Sequence, residues 1–229
     1  MPAAAVLFDL DGTLLDTLRD VAEAANQTLS ECNFAPHALK EYRFLLGGGL
    51  RNLFRAALPP EESTEETVDH CVRVFDDAYR AAWNVHTRPY PGIPELVAEL
   101  AARGVTQAVL SNKPHEFTRL CIEEFFGGAT TEHSGSETSG IGPFAFVAGQ
   151  RTGVPVKPDP TSALEIANQL SIPPADWLYV GDTSIDMETA NRAGMRPIGV
   201  SWGFRDRQEL IDAGAETVVD EPSQLATFF

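Results

Sequence analysis

Two aspartates, Asp9 and Asp11, follow directly on an apolar run from Ala3 to Phe8. Side chains at i and i+2 of an extended segment point the same way. Both carboxylates are therefore expected on one side of the chain, at the C-terminal edge of a buried strand, where open α/β sheets place their ligands. Two carboxylates confined together repel unless a cation or a proton lies between them, so this spacing points to a metal ion. Gly12 and Thr13 follow as turn residues: the glycine serves the backbone geometry and the threonine closes the turn.

Three further polar clusters accompany this one. Ser111-Asn112 ends the apolar run Ala108-Val109-Leu110 and offers a hydroxyl and backbone N–H groups at a helix start, a natural phosphate cradle. Lys157 is a lone cation in Val156-Lys157-Pro158-Asp159-Pro160. Asp182 and Asp186, in Gly181-Asp182-Thr183-Ser184-Ile185-Asp186, add two carboxylates after Trp177–Val180. Taken singly, each has an ordinary explanation: a turn aspartate, a capping serine, a solvated lysine, or a first-turn helix acid favoured by the dipole. Together they describe a site that collects negative charge and needs cations to hold it.

The elements that must position these residues alternate. After the strand at 3–8, helical spacing runs from Thr17 to Ser30, and helix or short turn continues to about His86, broken by Gly47-Gly48-Gly49. Beyond Pro89-Tyr90-Pro91-Gly92 come a strand at 105–111, helices at 114–126 and 159–170, and a strand at 177–181. A helix at 184–193, a strand at 196–200, a helix at 207–213 and a strand at 216–219 complete the chain. That alternation predicts a parallel sheet covered on both faces. The fold class is thus α/β, a Rossmann-like core formed by 1–16 and 87–229, with an all-helical domain of 17–86 inserted after the first strand. Residues 127–143 are rich in Gly, Ser and Thr and predict a loop, with His133 as a solvated loop residue.

With 229 residues, 43% of them hydrophobic, the chain can bury a substantial core. A net charge of −16 argues against nucleic acid or an anionic membrane as partner. Any anionic substrate must then be drawn in by a local metal or lysine. Cys32, Cys71 and Cys121 form no C-x-x-C pair and suit reduced core positions. No apolar stretch approaches the roughly 20 residues of a membrane span, and the N-terminus lacks the basic start of a signal peptide. These features point to a soluble cytoplasmic protein.

Asp9-Leu10-Asp11-Gly12-Thr13-Leu14-Leu15-Asp16-Thr17, Ser111-Asn112-Lys113, Lys157-Pro158-Asp159-Pro160 and Gly181-Asp182-Thr183-Ser184-Ile185-Asp186-Met187 occur in an order that resembles the haloacid dehalogenase superfamily. The likeness is to its phosphatase branch, and most closely to the phosphoglycolate phosphatases. It covers nearly the whole chain, the helical insert having the size and place of the family's first-type cap.

The resemblance implies Asp9 as nucleophile, forming an aspartyl-phosphate, and Asp11 as the acid and base. It implies Mg²⁺ held by Asp9, the Asp11 carbonyl and Asp182, with Asp186 behind them. Ser111 and the Asn112 N–H would bind phosphoryl oxygens, and Lys157 would neutralise charge. An acid at position 11 goes with phosphatases and phosphomutases rather than dehalogenases or cation pumps. The helical insert's Lys40 has ordinary helix-surface neighbours, which argues against a phosphonate-cleaving Schiff base.

Substrate choice is expected in Gly47-Gly48-Gly49-Leu50-Arg51. The backbone at Gly48 would be exposed there, and Arg51 could fork onto a small carboxylate. These readings lead to a Mg²⁺-dependent phosphatase for a small phosphorylated metabolite, 2-phosphoglycolate first, acting as a monomer or homodimer. The alternatives are a β-phosphoglucomutase-like isomerase, or a phosphatase for sugar phosphates, nucleotides or pyrophosphate. A non-enzymatic phospho-acceptor or binding module lies further off, since receiver domains are about half as long and carry no helical insert there.

Overall fold

Every residue of the first strand, β1 (Ala5–Phe8), is buried, as a strand covered on both faces requires. The structure is a computed structural model and describes residues 3–127 and 140–229. Most of the segment expected as a loop, His133 included, lies outside the described residues. The remaining strands are β2 (Leu15–Asp16), β3 (Arg88–Pro89), β4 (Thr106–Pro114), β5 (Phe144–Gln150), β6 (Trp177–Gly181), β7 (Arg196–Val200) and β8 (Thr217–Val219). Six of them form one sheet in the order β5-β4-β1-β6-β7-β8, every neighbouring pair parallel. The chain builds outward from β1 in both directions, so β1 and its two neighbours mark the switch point at which such sheets open a crevice.

The helices are α1 (Leu18–Glu31), α2 (Tyr42–Leu45), α3 (Leu50–Ala57), α4 (Glu65–Ala82), α5 (Ile93–Ala102), α6 (His115–Phe126), α7 (Thr161–Gln169), α8 (Ser184–Ala193) and α9 (Arg207–Asp212). The first four lie between β2 and β3, short strands that pair antiparallel and form the two-chain neck of the insert. Val68, Cys71, Phe75 and Tyr79 recur at helical spacing along α4 and pack with Val21, Ala25 and Leu29 of α1 and with Leu53 and Phe54 of α3. Stacked and edge-on rings, Phe54–Phe75 at 5.8 Å and Phe75–Tyr79 at 5.2 Å, carry this core toward the sheet domain. There Tyr79 meets Phe117 of α6 at 4.9 Å. The thiol of Cys71 is pushed up to about 12 by burial and by its neighbour Cys32, and all three cysteines are free.

The structure differs from the sequence reading in several strands and one helix. Strand β4 runs on to Pro114 instead of ending at Ser111, so Asn112 and Lys113 belong to the strand as well. Strands β2, β3 and β5 and helix α5 had no counterpart in the reading. β5 follows directly on the Gly/Ser/Thr-rich segment, whose polarity masks its start. Asp20, on the first turn of α1, is buried and ties the neck together. It accepts from the backbone N–H groups of His86 and Thr87 at 2.9 and 2.8 Å and from the Thr87 hydroxyl at 2.8 Å. Replacing it strands buried donors, so Asp20→Ala should lower unfolding free energy by about 3 kcal/mol. Urea denaturation measures this, and a loss no larger than that of an exposed aspartate would remove Asp20 from the neck's support.

Candidate active site

Register brings the acids together. Phe8 lies level with Val109 of β4 and Val180 of β6, so the residues just beyond these three strands emerge at one edge. Asp9 donates its N–H to the Val180 carbonyl at 2.9 Å. Asp9, Asp182 and Asp186 each offer a carboxylate oxygen within 4.8 Å of the others, and all three are buried. Lys157 Nζ donates to Asp9 and to Asp186, both at 2.7 Å, and to the Leu110 carbonyl at 3.2 Å. The second oxygen of Asp186 accepts from the Thr183 N–H at 3.1 Å and hydroxyl at 2.7 Å, which fixes it at the start of α8.

Asp182 is gripped from two sides. Its Oδ1 accepts from the Thr13 hydroxyl at 3.0 Å and its Oδ2 from the Phe204 N–H at 2.7 Å. A Cβ on Gly12 would fall 2.3 Å from Asp182 Oδ2, and one on Gly203 would fall 2.2 Å from Asp182 Cβ. Both glycines are therefore needed for the chain to close around this carboxylate. Gly12 also has φ of 91°, a backbone region that favours glycine. Thr13, expected to close the turn, reaches across to Asp182.

Three buried carboxylates against one ammonium leave two negative charges uncompensated. Burial pushes Asp9 well above the usual carboxylate range, against the pull of Lys157 and with the help of Asp186 and Asp182. Burial, then Asp186, likewise push Asp182 up to about 7. Burial works against the charge on Lys157, but Asp186 and Asp9 outweigh it and hold that ammonium well above its ordinary value. Hard oxygen donors with two unbalanced negative charges suit a hard divalent cation such as Mg²⁺. The residues present fit that group.

Asp11 stands slightly apart. Its carboxylate accepts from Lys113 Nζ at 2.9 and 3.2 Å. Lys113 is buried, and its ammonium lies 4.8 Å from the centroid of the Tyr79 ring. Burial opposes its charge, yet Asp11 and Tyr79 hold it above the usual lysine value. No role for Lys113 was drawn from the sequence, although the i, i+2 argument that paired Asp9 with Asp11 pairs it equally with Ser111. The Ser111 hydroxyl accepts from the Lys113 N–H at 3.2 Å. Asn112 uses its side chain structurally: it donates to the Gly47 carbonyl at 3.0 Å and to the Lys157 carbonyl at 3.1 Å, and accepts from the Lys157 N–H at 2.8 Å. Its backbone lies between Leu110 and Pro114, where the pairing of β4 with β5 breaks register.

A cavity of about 50 Å³ lies over these groups. Asp9, Asp11, Ser111, Asn112 and Lys113 form its polar side, and the helical insert covers it with Val21, Leu46, Leu50, Leu53, Phe75 and Tyr79. Gly47 and Gly49 line it, but Gly48 and Arg51 do not. Arg51, expected to fork onto a substrate carboxylate, is placed outside the cavity wall by the register of α3. Leu50, Leu53 and Phe54 take the inward face, which turns Arg51 toward α4, where it pairs with Asp69 and with Glu65. The Gly48 carbonyl is likewise taken, accepting from Asn52 Nδ2 at 2.8 Å.

The sheet is doubly wound, its acids gather at the strand ends, and a helical insert follows the first strand. The model of haloacid dehalogenase-like hydrolases matches residues 6–200, and the chain belongs to that family. Among curated relatives it is 30% identical to a phosphoglycolate phosphatase of Psychrobacter arcticus, over 97% of this chain and 94% of that one. It is 33% identical to a phosphoglycolate phosphatase of Aquifex aeolicus, over 87% and 85%. A crystal structure from Lactobacillus delbrueckii subsp. bulgaricus, itself assigned to the phosphoglycolate phosphatases, superposes with a TM-score of 0.86 at 30% identity, covering 98% and 97% of the two chains. Among the described residues no helix is long and apolar enough to cross a membrane.

The raised Asp182 gives a pH dependence with a definite sign. A carboxyl that holds its proton more tightly folded than unfolded stabilises the fold fully below the ordinary aspartate range, and that contribution is lost as pH rises through about 7. The melting temperature of EDTA-treated protein should therefore fall as pH is raised from about 5 to about 8, and saturating Mg²⁺ should remove most of the fall. Scanning calorimetry tests this, and a metal-free protein that gains stability over that interval would contradict the burial of an uncompensated acid.

Proposed function

We propose that this protein is a Mg²⁺-dependent phosphomonoester hydrolase for a small phosphorylated metabolite, with 2-phosphoglycolate as its foremost substrate. The uncompensated negative charge of Asp9, Asp182 and Asp186 around Lys157 carries the reading, because a dianionic ester could not approach these acids without a cation. Asp9 is the nucleophile: its free carboxylate oxygen attacks phosphorus, the bond to the leaving alcohol breaks, and an aspartyl-phosphate forms. Asp11, entering the reaction in its protonated form, gives that proton to the departing alcohol oxygen and then takes one from the water that cleaves the acyl phosphate.

The Ser111 hydroxyl and the Asn112 N–H hold the phosphoryl oxygens, and Lys157 keeps Asp9 oriented while neutralising charge. Asp9, the Asp11 carbonyl and Asp182 would hold Mg²⁺, with Asp186 anchoring Lys157 behind them. The ion would supply charge neutralisation at the phosphoryl group.

The names of the relatives support 2-phosphoglycolate, and the small covered cavity favours metabolites over phosphoproteins. With Arg51 committed to α4, Lys113 is the cation in the cavity wall, among the described residues, that could meet a substrate carboxylate.

Asp9→Asn should retain the fold and drop turnover below about 1% of wild type, since it removes the nucleophile at nearly constant volume. A persistently higher rate, not due to deamidation, would end the covalent reading. EDTA should silence the enzyme and Mg²⁺ restore it. In a screen of phosphate esters with Mg²⁺, 2-phosphoglycolate should rank first. A sugar phosphate, nucleotide or pyrophosphate in that place would overturn the substrate and leave the chemistry standing. Arg51→Ala should change kcat/KM by no more than about threefold on any ester, because exposed ion pairs contribute little.

A further inference from the structure

The helical insert and the sheet domain exchange arginines. Arg43, on α2, donates through Nη2 to the Gly203 carbonyl at 2.7 Å and through Nε to the Phe204 carbonyl at 3.2 Å. Arg205, in the loop after β7, donates back through Nη2 to the carbonyls of Leu46 at 2.9 Å and Phe44 at 3.3 Å, with its guanidinium 5.6 Å from the Phe44 ring centroid. Neither residue lines the cavity.

The carbonyl of Gly203 and the N–H of Phe204 belong to one peptide unit. Its oxygen accepts from Arg43, and its N–H donates to Asp182 Oδ2 at 2.7 Å. A peptide is planar and stiff, so the guanidinium at one end and the carboxylate at the other cannot move independently. A cation on the carbonyl also polarises the amide and strengthens the bond its N–H makes. The contact is close because residue 203 is glycine, where any side chain would collide with Asp182.

We propose that Arg43 is a positioning residue that sets Asp182 through the Gly203–Phe204 peptide, so that seating of the helical insert and cation affinity at the acid cluster form one coupled equilibrium. The proposal rests on the reading of Asp182 as a metal ligand. Arg205 completes the clasp by holding the backbone of the same segment, 42–46, against the loop. When the insert lifts, the peptide loses its carbonyl partner and Asp182 loses its fixed direction. By reciprocity, a cation that fixes Asp182 favours the seated insert.

Isothermal titration of the metal-free full-length protein with Mg²⁺ alone, in the absence of any ester, tests this. Arg43→Ala should bind Mg²⁺ about five- to tenfold more weakly than wild type. Arg43→Lys, which keeps the charge but cannot span both carbonyls, should fall between the two, and it provides the measurement if the alanine variant fails to fold. Hydrogen exchange supplies a second readout: Mg²⁺ should slow exchange across 42–46 in wild type and lose that effect in Arg43→Ala. Wild-type Mg²⁺ affinity in either variant, or Mg²⁺ protection of 42–46 that survives in Arg43→Ala, would overturn the coupling while leaving the metal reading intact. A wild-type protein that binds no Mg²⁺ would instead overturn the metal reading, and the coupling with it.

Discussion

Lys157 is the charge about which the site is assembled. Its ammonium is buried, and it touches carboxylates from two different places in the chain, Asp9 after β1 and Asp186 at the start of α8, at the same 2.7 Å. A lysine so placed tolerates its burial because the acids repay the desolvation, and the acids tolerate theirs in part because of the lysine. One ammonium is nevertheless too few for three carboxylates. The rise of Asp182 to about 7 expresses that deficit, because in the absence of further positive charge a proton is the cheapest compensation. The sheet order, the turn at Gly12 and the loop at Gly203 all serve to hold this unfavourable collection of like charges in place.

Strain of that kind needs a rigid frame. Parallel pairing of β1 with both β4 and β6 lets three strands end level, and this alone puts residues over 170 positions apart within reach of one cation. The turn after Asp9 then folds Thr13 back onto Asp182, and the loop after β7 brings the Phe204 N–H to its other oxygen. Asp182 thus has its direction set by two segments, of which the later one is held by the helical insert through Arg43. Asn112 provides a second such link, bonding the loop that carries Lys157 and the Gly47 carbonyl with one amide group. The insert is tied to the charged machinery by its backbone at Gly47 and by Arg43, which lies outside the cavity.

The parts legible in the sequence were those that depend on local pattern. Apolar runs ending in acids marked the strands, periodicity marked the helices, and the spacing of Asp9 and Asp11 placed both at one edge. Strand–helix alternation was enough for the α/β class, and the order of the motifs along the chain for the resemblance. Less legible were contacts whose meaning depends on what lies opposite. Nothing local distinguishes Arg51, which pairs with Asp69 and Glu65, from an arginine facing a ligand, because only the register of α3 decides it. Lys113 could have been found from its spacing to Ser111. Asp20, Arg43 and Arg205 could not, since their partners are backbone groups dozens of residues away or more.

The cavity divides its work by origin. The sheet domain contributes the acids, the lysine and the hydroxyl, while the helical insert contributes aliphatic and aromatic side chains. An apolar cover over a charged floor lowers the local dielectric, and each ionic interaction beneath it is strengthened. The two halves meet where Lys113 lies over Tyr79. Burial raises the Tyr79 hydroxyl well beyond its ordinary value, so the ring stays neutral and offers its face to the ammonium that holds Asp11. Lifting α4 would take that face away and open the Lys113–Asp11 pair to water, where a charge pair is worth far less. Through Tyr79 the position of the insert therefore bears on Asp11, as through Arg43 it bears on Asp182, and the two acids on either side of Asp9 are both conditioned by the same helical domain.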